Sequence, residues 1–272
     1  MTDSIGGYLE TVFSLKDKII LFTGATGGIG SVLCRGYAKA GATVALCDVD
    51  LGRLAELEKE IRESGGEASS FRLDLTHQGD IADCVNQVIR KYGRIDVLFN
   101  CAGINKREGI LDVDESTYDR IMQINLKGLY FISQEVAKHM RTAGKGNIIN
   151  MASHNSVGML GGCSVYGATK SAVTALTRSM AVEWAKFGIR ANAIAPGHIL
   201  TPLTTVTWEH PTRSAYLKDR IAMQRPGDPE EILGIAILLA SDASSYMSGM
   251  MVHVDGGCLA GGTPWDFDTQ FK

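Results

Sequence analysis

The chain has 272 residues, of which 45% are hydrophobic and 21% charged, with a formal net charge of −3. This is an ordinary globular composition, large enough for an extensive core, and it carries no basic footprint for nucleic acid. The longest apolar run, 232–240, falls well short of a membrane span, and residues 1–15 lack the basic start and apolar stretch of a signal peptide, so a cytoplasmic protein without membrane or nucleic-acid partners is expected.

After a short leader, 18–23 is a continuous apolar run ended by glycine, which reads as a buried parallel strand. Gly24-Ala25-Thr26-Gly27-Gly28-Ile29-Gly30 follows, and then a helical stretch over 31–40. A strand, a glycine-rich turn and a helix N-terminus make a phosphate site, because free N–H groups and the helix dipole face the anion. A second strand over 42–47 ends in Asp48, eighteen residues past Gly30. A carboxylate there accepts hydrogen bonds from adenosine ribose hydroxyls and repels a 2′-phosphate, which favours NAD over NADP. Asp48 or Asp50 alternatively caps the helix over 51–64, and Asp50 is the better candidate for that cap.

A third strand is expected over 67–73, ending at Asp74-Leu75, then a helix over 77–92 and a fourth strand over 95–99. That strand ends in Asn100-Cys101-Ala102-Gly103, where small residues let backbone approach a flat ligand. A long helical region over 114–142 contains Asn125; strand 147–151 delivers Ser153; a helix over 164–187 follows. Strand 190–195 ends at Pro196-Gly197, residues 198–228 look like a substrate-covering insertion, a helix spans 230–241, and 251–254 is the last strand. The six cysteines form no C-x-x-C pair and read as buried free thiols, and no metal-ligand spacing is present. Regular alternation without a linker argues for one doubly wound α/β (Rossmann) parallel sheet of about seven strands, with helices on both faces, spanning 1–272. In such sheets ligands sit at the carboxyl ends of the strands, where Gly24, Asp48, Asp74, Asn100, Ser153 and Pro196 all fall.

The chemistry concentrates in Ser153, Tyr166 thirteen positions on, and Lys170 four beyond that. A four-residue step places Tyr166 and Lys170 on one helix face. A nearby ammonium stabilises phenolate and is expected to lower the tyrosine pKa towards the range of a general acid/base. Ser153 would hold a substrate oxygen beside the Tyr166 hydroxyl.

With these motifs in place, over roughly residues 14–258, the sequence resembles the short-chain dehydrogenase/reductase family. The match rests on Thr23-Gly24-x-x-x-Gly28-Ile29-Gly30, Asp74-Leu75, Asn100-Cys101-Ala102-Gly103, Asn125, Ser153, Tyr166-x-x-x-Lys170 and Pro196-Gly197; Cys101 departs from the family's usual asparagine. The resemblance implies Tyr166 as acid/base, with Lys170 lowering its pKa and holding the nicotinamide ribose. It implies Ser153 orienting the substrate and Asn125 supporting a water chain. Gly24, Thr26, Gly28, Ile29 and Gly30 would carry the pyrophosphate, Asp74 and Leu75 lie near adenine, Asn100, Ala102 and Gly103 line the nucleotide, and Pro196, Gly197, Ile199 and Thr201 meet the nicotinamide. It also implies a homotetramer or dimer packed through helices 114–142 and 164–187.

Within the family the chain resembles the sugar-acid branch, on Ala102-Gly103-Ile104-Asn105-Lys106-Arg107 and on Phe13-Ser14-Leu15. Lys106 or Arg107 would pair with a substrate carboxylate, unless the two are a solvated loop pair. His154 and Asn155 offer hydrogen bonds to substrate hydroxyls, or His154 packs the pocket wall. The tail 258–272 carries Trp265, Phe267 and Phe271, rings that anchor either to a neighbouring subunit or to the same one. The expected activity is NAD-dependent interconversion of a secondary alcohol and a ketone on a sugar acid, sugar or polyol. A 3-oxoacyl-thioester reductase is the rival enzyme, and a non-catalytic NAD-binding scaffold the rival of another class.

Overall fold

The computed structural model describes residues 5–262; Trp265, Phe267 and Phe271 lie outside the described residues. The strands are β1 (Ile19–Thr23), β2 (Thr43–Asp48), β3 (Glu67–Arg72), β4 (Val97–Asn100), β5 (Gly146–Met151), β6 (Ile189–Pro196) and β7 (Met251–Val254). They form one seven-stranded sheet in the order β3-β2-β1-β4-β5-β6-β7, and every pair is parallel. The order reverses between β1 and β4, the place where such a sheet opens a crevice for a ligand. Register aligns the tips there: Thr23 pairs with Cys47 and with Asn100, and Asn100 with Asn150.

The helices are α1 (Ile5–Phe13), α2 (Gly28–Lys39), α3 (Leu51–Glu63), α4 (Gln78–Tyr92), α5 (Glu115–Met122), α6 (Leu129–Ala143), α7 (Ser164–Trp184), α8 (Thr205–Trp208), α9 (Pro211–Arg220) and α10 (Leu233–Ala240). Alternate side chains of the central strands feed two cores, one on each face. Ile20, Phe22 and Phe99 pack towards α2, α3 and α10, whereas Leu21, Leu98 and Ile148 pack towards α4, α6 and α7. The Phe22 and Phe99 rings stack at 4.6 Å. Tyr37 of α2 meets their edges, and its hydroxyl donates to the Ala236 carbonyl at 3.0 Å, fastening α2 to α10. Burying each such aromatic contributes about 1.5–3 kcal/mol.

Two expectations need correction. The leader contains a helix, α1, whose Tyr8, Leu9 and Phe13 are exposed; its paired glycines and the absence of a buried stripe hid it from the periodicity. The long helix over 114–142 is interrupted by a π-helical stretch at Gln123–Gly128, between α5 and α6. At its end Gly128 passes so close to Leu75 that an added Cβ would stand 2.7 Å from the leucine Cβ.

Candidate active site

The tips of β1, β2, β4, β5 and β6 and the loops that follow them carry the site. At the tip of β1, Gly24 takes φ +70°, and an added Cβ would stand 2.7 Å from the Ala102 Cα. A Cβ on Gly30 would stand 2.1 Å from the Gly24 carbonyl oxygen. These two positions force glycine and bring the turn against the β4 loop. The first helical residue of α2 is Gly28, and its N-cap, Gly27, offers no side-chain hydrogen bond. The first-turn amides are therefore free for an anion. Thr201 and Pro202, in the segment after β6, lie directly against Gly28.

Asp48 stands at the tip of β2. Its Oδ2 accepts from the Thr26 amide at 3.1 Å and the Thr26 hydroxyl at 2.7 Å, and its Oδ1 from the Val49 amide at 2.7 Å. This ties the carboxylate to the glycine turn. Asp50 is the residue that caps α3, accepting from the Arg53 amide at 3.0 Å. Gly103 leaves an open floor, since the nearest atoms to an added Cβ are Asn125 Oδ1 and Lys170 Nζ, each at 3.5 Å. An uncapped helix start, an anchored carboxylate and a side-chain-free floor in one crevice fit a dinucleotide. Gly24, Gly28, Ile29 and Gly30 would hold its pyrophosphate, Asp48 its adenosine ribose and Gly103 the face of its other ring.

Several residues expected along this crevice direct their side chains elsewhere. Asn100 turns into the protein, where its Nδ2 donates to Ser133 Oγ and Asn150 Oδ1, both at 2.9 Å. It braces β4 against β5 and α6, leaving only its backbone near the crevice. Leu75 is buried in the core under Gly128. Asp74 accepts from the Thr76 amide at 2.9 Å and hydroxyl at 2.7 Å, which lower its pKa and make it a turn-former at the β3 end. Ile199 is a core side chain whose carbonyl accepts from Thr204 Oγ1 at 2.7 Å, and the Thr201 amide donates to the same hydroxyl at 2.8 Å. Both serve the turn of their own segment. Gly197 runs against Asp255 of the loop after β7, 2.6 Å from an added Cβ to the Asp255 Cα.

The proton-handling group lies at the tips of β4 and β5. Tyr166 and Lys170 occupy the first two turns of α7, and Lys170 Nζ sits 5.6 Å from the centroid of the tyrosine ring. Ser153 faces the Tyr166 hydroxyl closely enough to pull its pKa down, while its Oγ accepts from the Asn155 amide at 3.1 Å. The expected lowering of the Tyr166 pKa by Lys170 is not what this arrangement gives. Burial pushes the phenol above its usual 10, and Ser153 pulls back less strongly. Lys170 donates instead to the Met151 carbonyl at 2.6 Å, and burial brings it down from 10.5 to about 8. Asn125 is fully buried by the π-helical stretch. Its Oδ1 accepts from the Ile104 amide at 2.8 Å, and its Nδ2 donates to the Ile104 carbonyl at 2.8 Å and to Thr169 Oγ1 at 3.3 Å. The amide thus pins the loop after β4 to α7. Cys101 is held as a thiol, its pKa pushed by burial to about 12.

Around the Ser153–Tyr166 pair, three loops form a polar wall. Lys106 pairs with Glu108 at 2.6 Å and donates to Thr117 at 3.1 Å. Arg107 reaches across to Thr207 Oγ1 at 3.4 Å. His154 is buried with its Nδ1 3.2 Å from the Pro196 carbonyl and its ring 4.5 Å from that of His198. Asn155 is buried, its Oδ1 without a partner among the described residues. His198, Thr207 and Trp208 were not singled out from the sequence. The strand-end rule applied two residues beyond Pro196 would have reached His198; nothing local marks Thr207 or Trp208. Of the tail's described residues, Leu259 packs on Gly158, and Gly262 lies against the carbonyls that end α9.

Residues 24–258 match the family described as Enoyl-(Acyl carrier protein) reductase. The chain belongs to the short-chain dehydrogenase/reductase family. This chain is an oxidoreductase of that family acting on CH–OH groups. It is 38% identical to 2-dehydro-3-deoxy-D-gluconate 5-dehydrogenase of Escherichia coli K12 over 253 residues, covering 92% of this chain and 98% of that one. It is equally 38% identical to 3-oxoacyl-(acyl-carrier-protein) reductase of Thermotoga maritima over 247 residues, covering 90% of this chain and 99% of that one. A gluconate 5-dehydrogenase from Burkholderia cenocepacia in complex with NADP and tartrate superposes with a TM-score of 0.89 at 34% identity, covering 92% of this chain and 98% of that one. No described helix is long and apolar enough to cross a membrane.

Proposed function

We propose that the protein interconverts a secondary alcohol and a ketone on a sugar acid, with NAD as its dinucleotide. The observation that carries the substrate class is the polar wall beside Ser153 and Tyr166. There one arginine, Arg107, stands over neutral hydrogen-bonding side chains, a lining suited to a hydroxylated acid rather than an acyl chain. The relatives named for gluconate chemistry support the same reading. Asp48, anchored at the tip of β2, supports NAD, because a carboxylate there would accept from ribose hydroxyls and repel a 2′-phosphate; the solved relative with bound NADP is the opposing observation.

The bound dinucleotide supplies the hydride acceptor or donor. The chain's residues position the substrate and move the proton. Ser153 donates its single O–H to the substrate oxygen, beside the Tyr166 hydroxyl. In reduction Tyr166, kept protonated by its burial, gives its proton to the forming alkoxide; in oxidation its phenolate takes the proton from the hydroxyl. Lys170 supplies positive charge one helical turn away, held in place by the Met151 carbonyl. Asn125 fixes the loop that floors the crevice. Residues 198–228, bearing α8 and α9, act as the substrate cover.

Association of subunits through α5, α6 and α7 belongs to this reading. The groove between them, about 920 Å³, is lined by Leu126, Tyr130, Phe131, Ala172, Leu176 and neighbours, and Tyr130 is 42% exposed. Sedimentation of wild type against Tyr130→Asp tests it, with a shift to monomer expected.

The activity is tested by following NADH production from aldonic acids, neutral polyols and 3-hydroxyacyl thioesters, with NADP in parallel. Turnover of acids with NAD, lost by more than about 100-fold in Tyr166→Phe while NADH binding is retained, is the expected result. Turnover of thioesters with NADP alone would overturn both substrate and cofactor assignments.

A further inference from the structure

Two histidines and an arginine meet on the polar wall, each from a different loop. His154 follows Ser153 at the β5 tip, His198 opens the segment after β6, and Arg107 belongs to the loop after β4. The His154 and His198 rings lie 4.5 Å apart at 56°. The edge of Trp208 backs His198 at 6.3 Å and 80°, and Arg107 is held beside it by Thr207. A carbonyl oxygen only accepts, so the His154 bond to Pro196 fixes the proton on Nδ1 and leaves Nε2 as an acceptor. Among the described residues no protein group hydrogen-bonds the His198 ring. Both rings are neutral: burial lowers the pKa of His154 and brings His198 to about 4, with His154 and Arg107 adding to the effect.

A cation held beside neutral imidazoles discriminates in a particular way. The cation takes the carboxylate, while neutral imidazoles donate to and accept from hydroxyls without competing for the anion. We propose that His198, braced by His154 and Trp208 beside Arg107, is a specificity-determining residue that hydrogen-bonds a substrate hydroxyl near the acid end. This deepens the sugar-acid reading and rests on it. A site built to bond a hydroxyl rejects the analogue that lacks it, because the ring is then left without a partner.

The test measures kcat and KM with NAD for gluconate and for deoxygluconates lacking one hydroxyl away from the reacting carbon, in wild type, His198→Phe and His198→Gln. Phenylalanine keeps the ring against Trp208 and His154; glutamine keeps hydrogen-bonding groups. Wild type is expected to prefer gluconate over one deoxy acid by about 10- to 100-fold. His198→Phe should lose about that factor on gluconate, mainly through KM, and stay within about threefold on the deoxy acid, erasing the preference. His198→Gln, measured alongside in case the phenylalanine variant folds poorly, should keep part of the preference. If wild type uses gluconate but His198→Phe is unaffected, or loses equally on both acids, His198 only packs the wall and this assignment is overturned while the sugar-acid reading stands. Should wild type turn over neither acid but reduce acetoacetyl thioesters, the underlying reading fails and the role of His198 with it.

Discussion

Replacing Lys170 by methionine separates its cost to the fold from its use in the site. The side chain is 2% exposed, donates to the Met151 carbonyl at 2.6 Å, and has its pKa lowered by burial from 10.5 to about 8. Below about pH 8 the lysine is charged in both folded and unfolded chains, and the burial cost stands in full. As pH rises from about 8 to about 10.5, the folded chain releases its proton first, so the unfolded chain binds more protons and stability increases. The full gap corresponds to about 3 kcal/mol, and between pH 7 and pH 10 about 2–3 kcal/mol of it is recovered. Lys170→Met has no such dependence. It also leaves the Met151 carbonyl without its donor, an offset of about 1–3 kcal/mol that does not vary with pH. The difference in unfolding free energy, wild type minus Lys170→Met, should therefore grow by about 2–3 kcal/mol from pH 7 to pH 10. Paired urea titrations at each pH measure it, because groups common to both proteins cancel. Staying at or below pH 10 keeps Tyr166, whose pKa is raised above 10, largely out of the comparison. Parallel stability curves would refute the reasoning and mean that Lys170 is not a buried, desolvated cation.

Asp48→Ala should shift the ratio of kcat/KM for NAD over NADP towards NADP by at least about tenfold; an unchanged ratio would remove Asp48 from cofactor choice. Gly24→Ala imposes a Cβ at φ +70° and against Ala102; it should cost about 1–2 kcal/mol in backbone strain alone, read as a lower melting temperature, and weaken NADH binding measured by fluorescence titration. With Tyr166 protonated at neutral pH, the kcat/KM for alcohol oxidation should rise through pH 7–9, while ketone reduction stays level until the phenol titrates. Superimposable profiles in the two directions would show that the two do not share that group. Arg107→Ala should raise KM for aldonic acids by about tenfold or more and leave neutral polyols within about twofold, and equal effects would take Arg107 off the carboxylate.

Much of the sheet was legible because strands such as β1, β2 and β4 are short apolar runs closed by glycine or a polar residue, with helical periods between them. The crevice was legible for the same reason: strand tips carry Gly24, Asp48, Ser153 and Pro196 to one edge wherever the helices begin and end. Less readable was the direction of individual side chains. Asn100 and Leu75 sit in motifs at the right tips, yet both turn inward, Asn100 to Ser133 and Asn150 and Leu75 beneath Gly128. The π-helical stretch leaves no mark in a 3.6-residue periodicity, although it is what buries Asn125. Lys106 and Arg107 are adjacent and chemically alike; only the placement of Glu108 and Thr207 tells them apart. The tyrosine pKa depends on burial and on the lysine's choice of the Met151 carbonyl, neither of which a four-residue spacing conveys.

The contact of Thr201 and Pro202 with Gly28 bears on the order of events in a catalytic cycle. The segment proposed as the substrate cover and the glycine turn proposed to hold the phosphates share one surface, so the cover cannot swing away without uncovering the turn. A dinucleotide that seats first completes the surface on which the cover closes, whereas a substrate arriving first finds it incomplete. The expected kinetics are therefore sequential and ordered, with the dinucleotide first on and last off. Product-inhibition patterns, competitive only between the oxidised and reduced dinucleotides, would carry that signature.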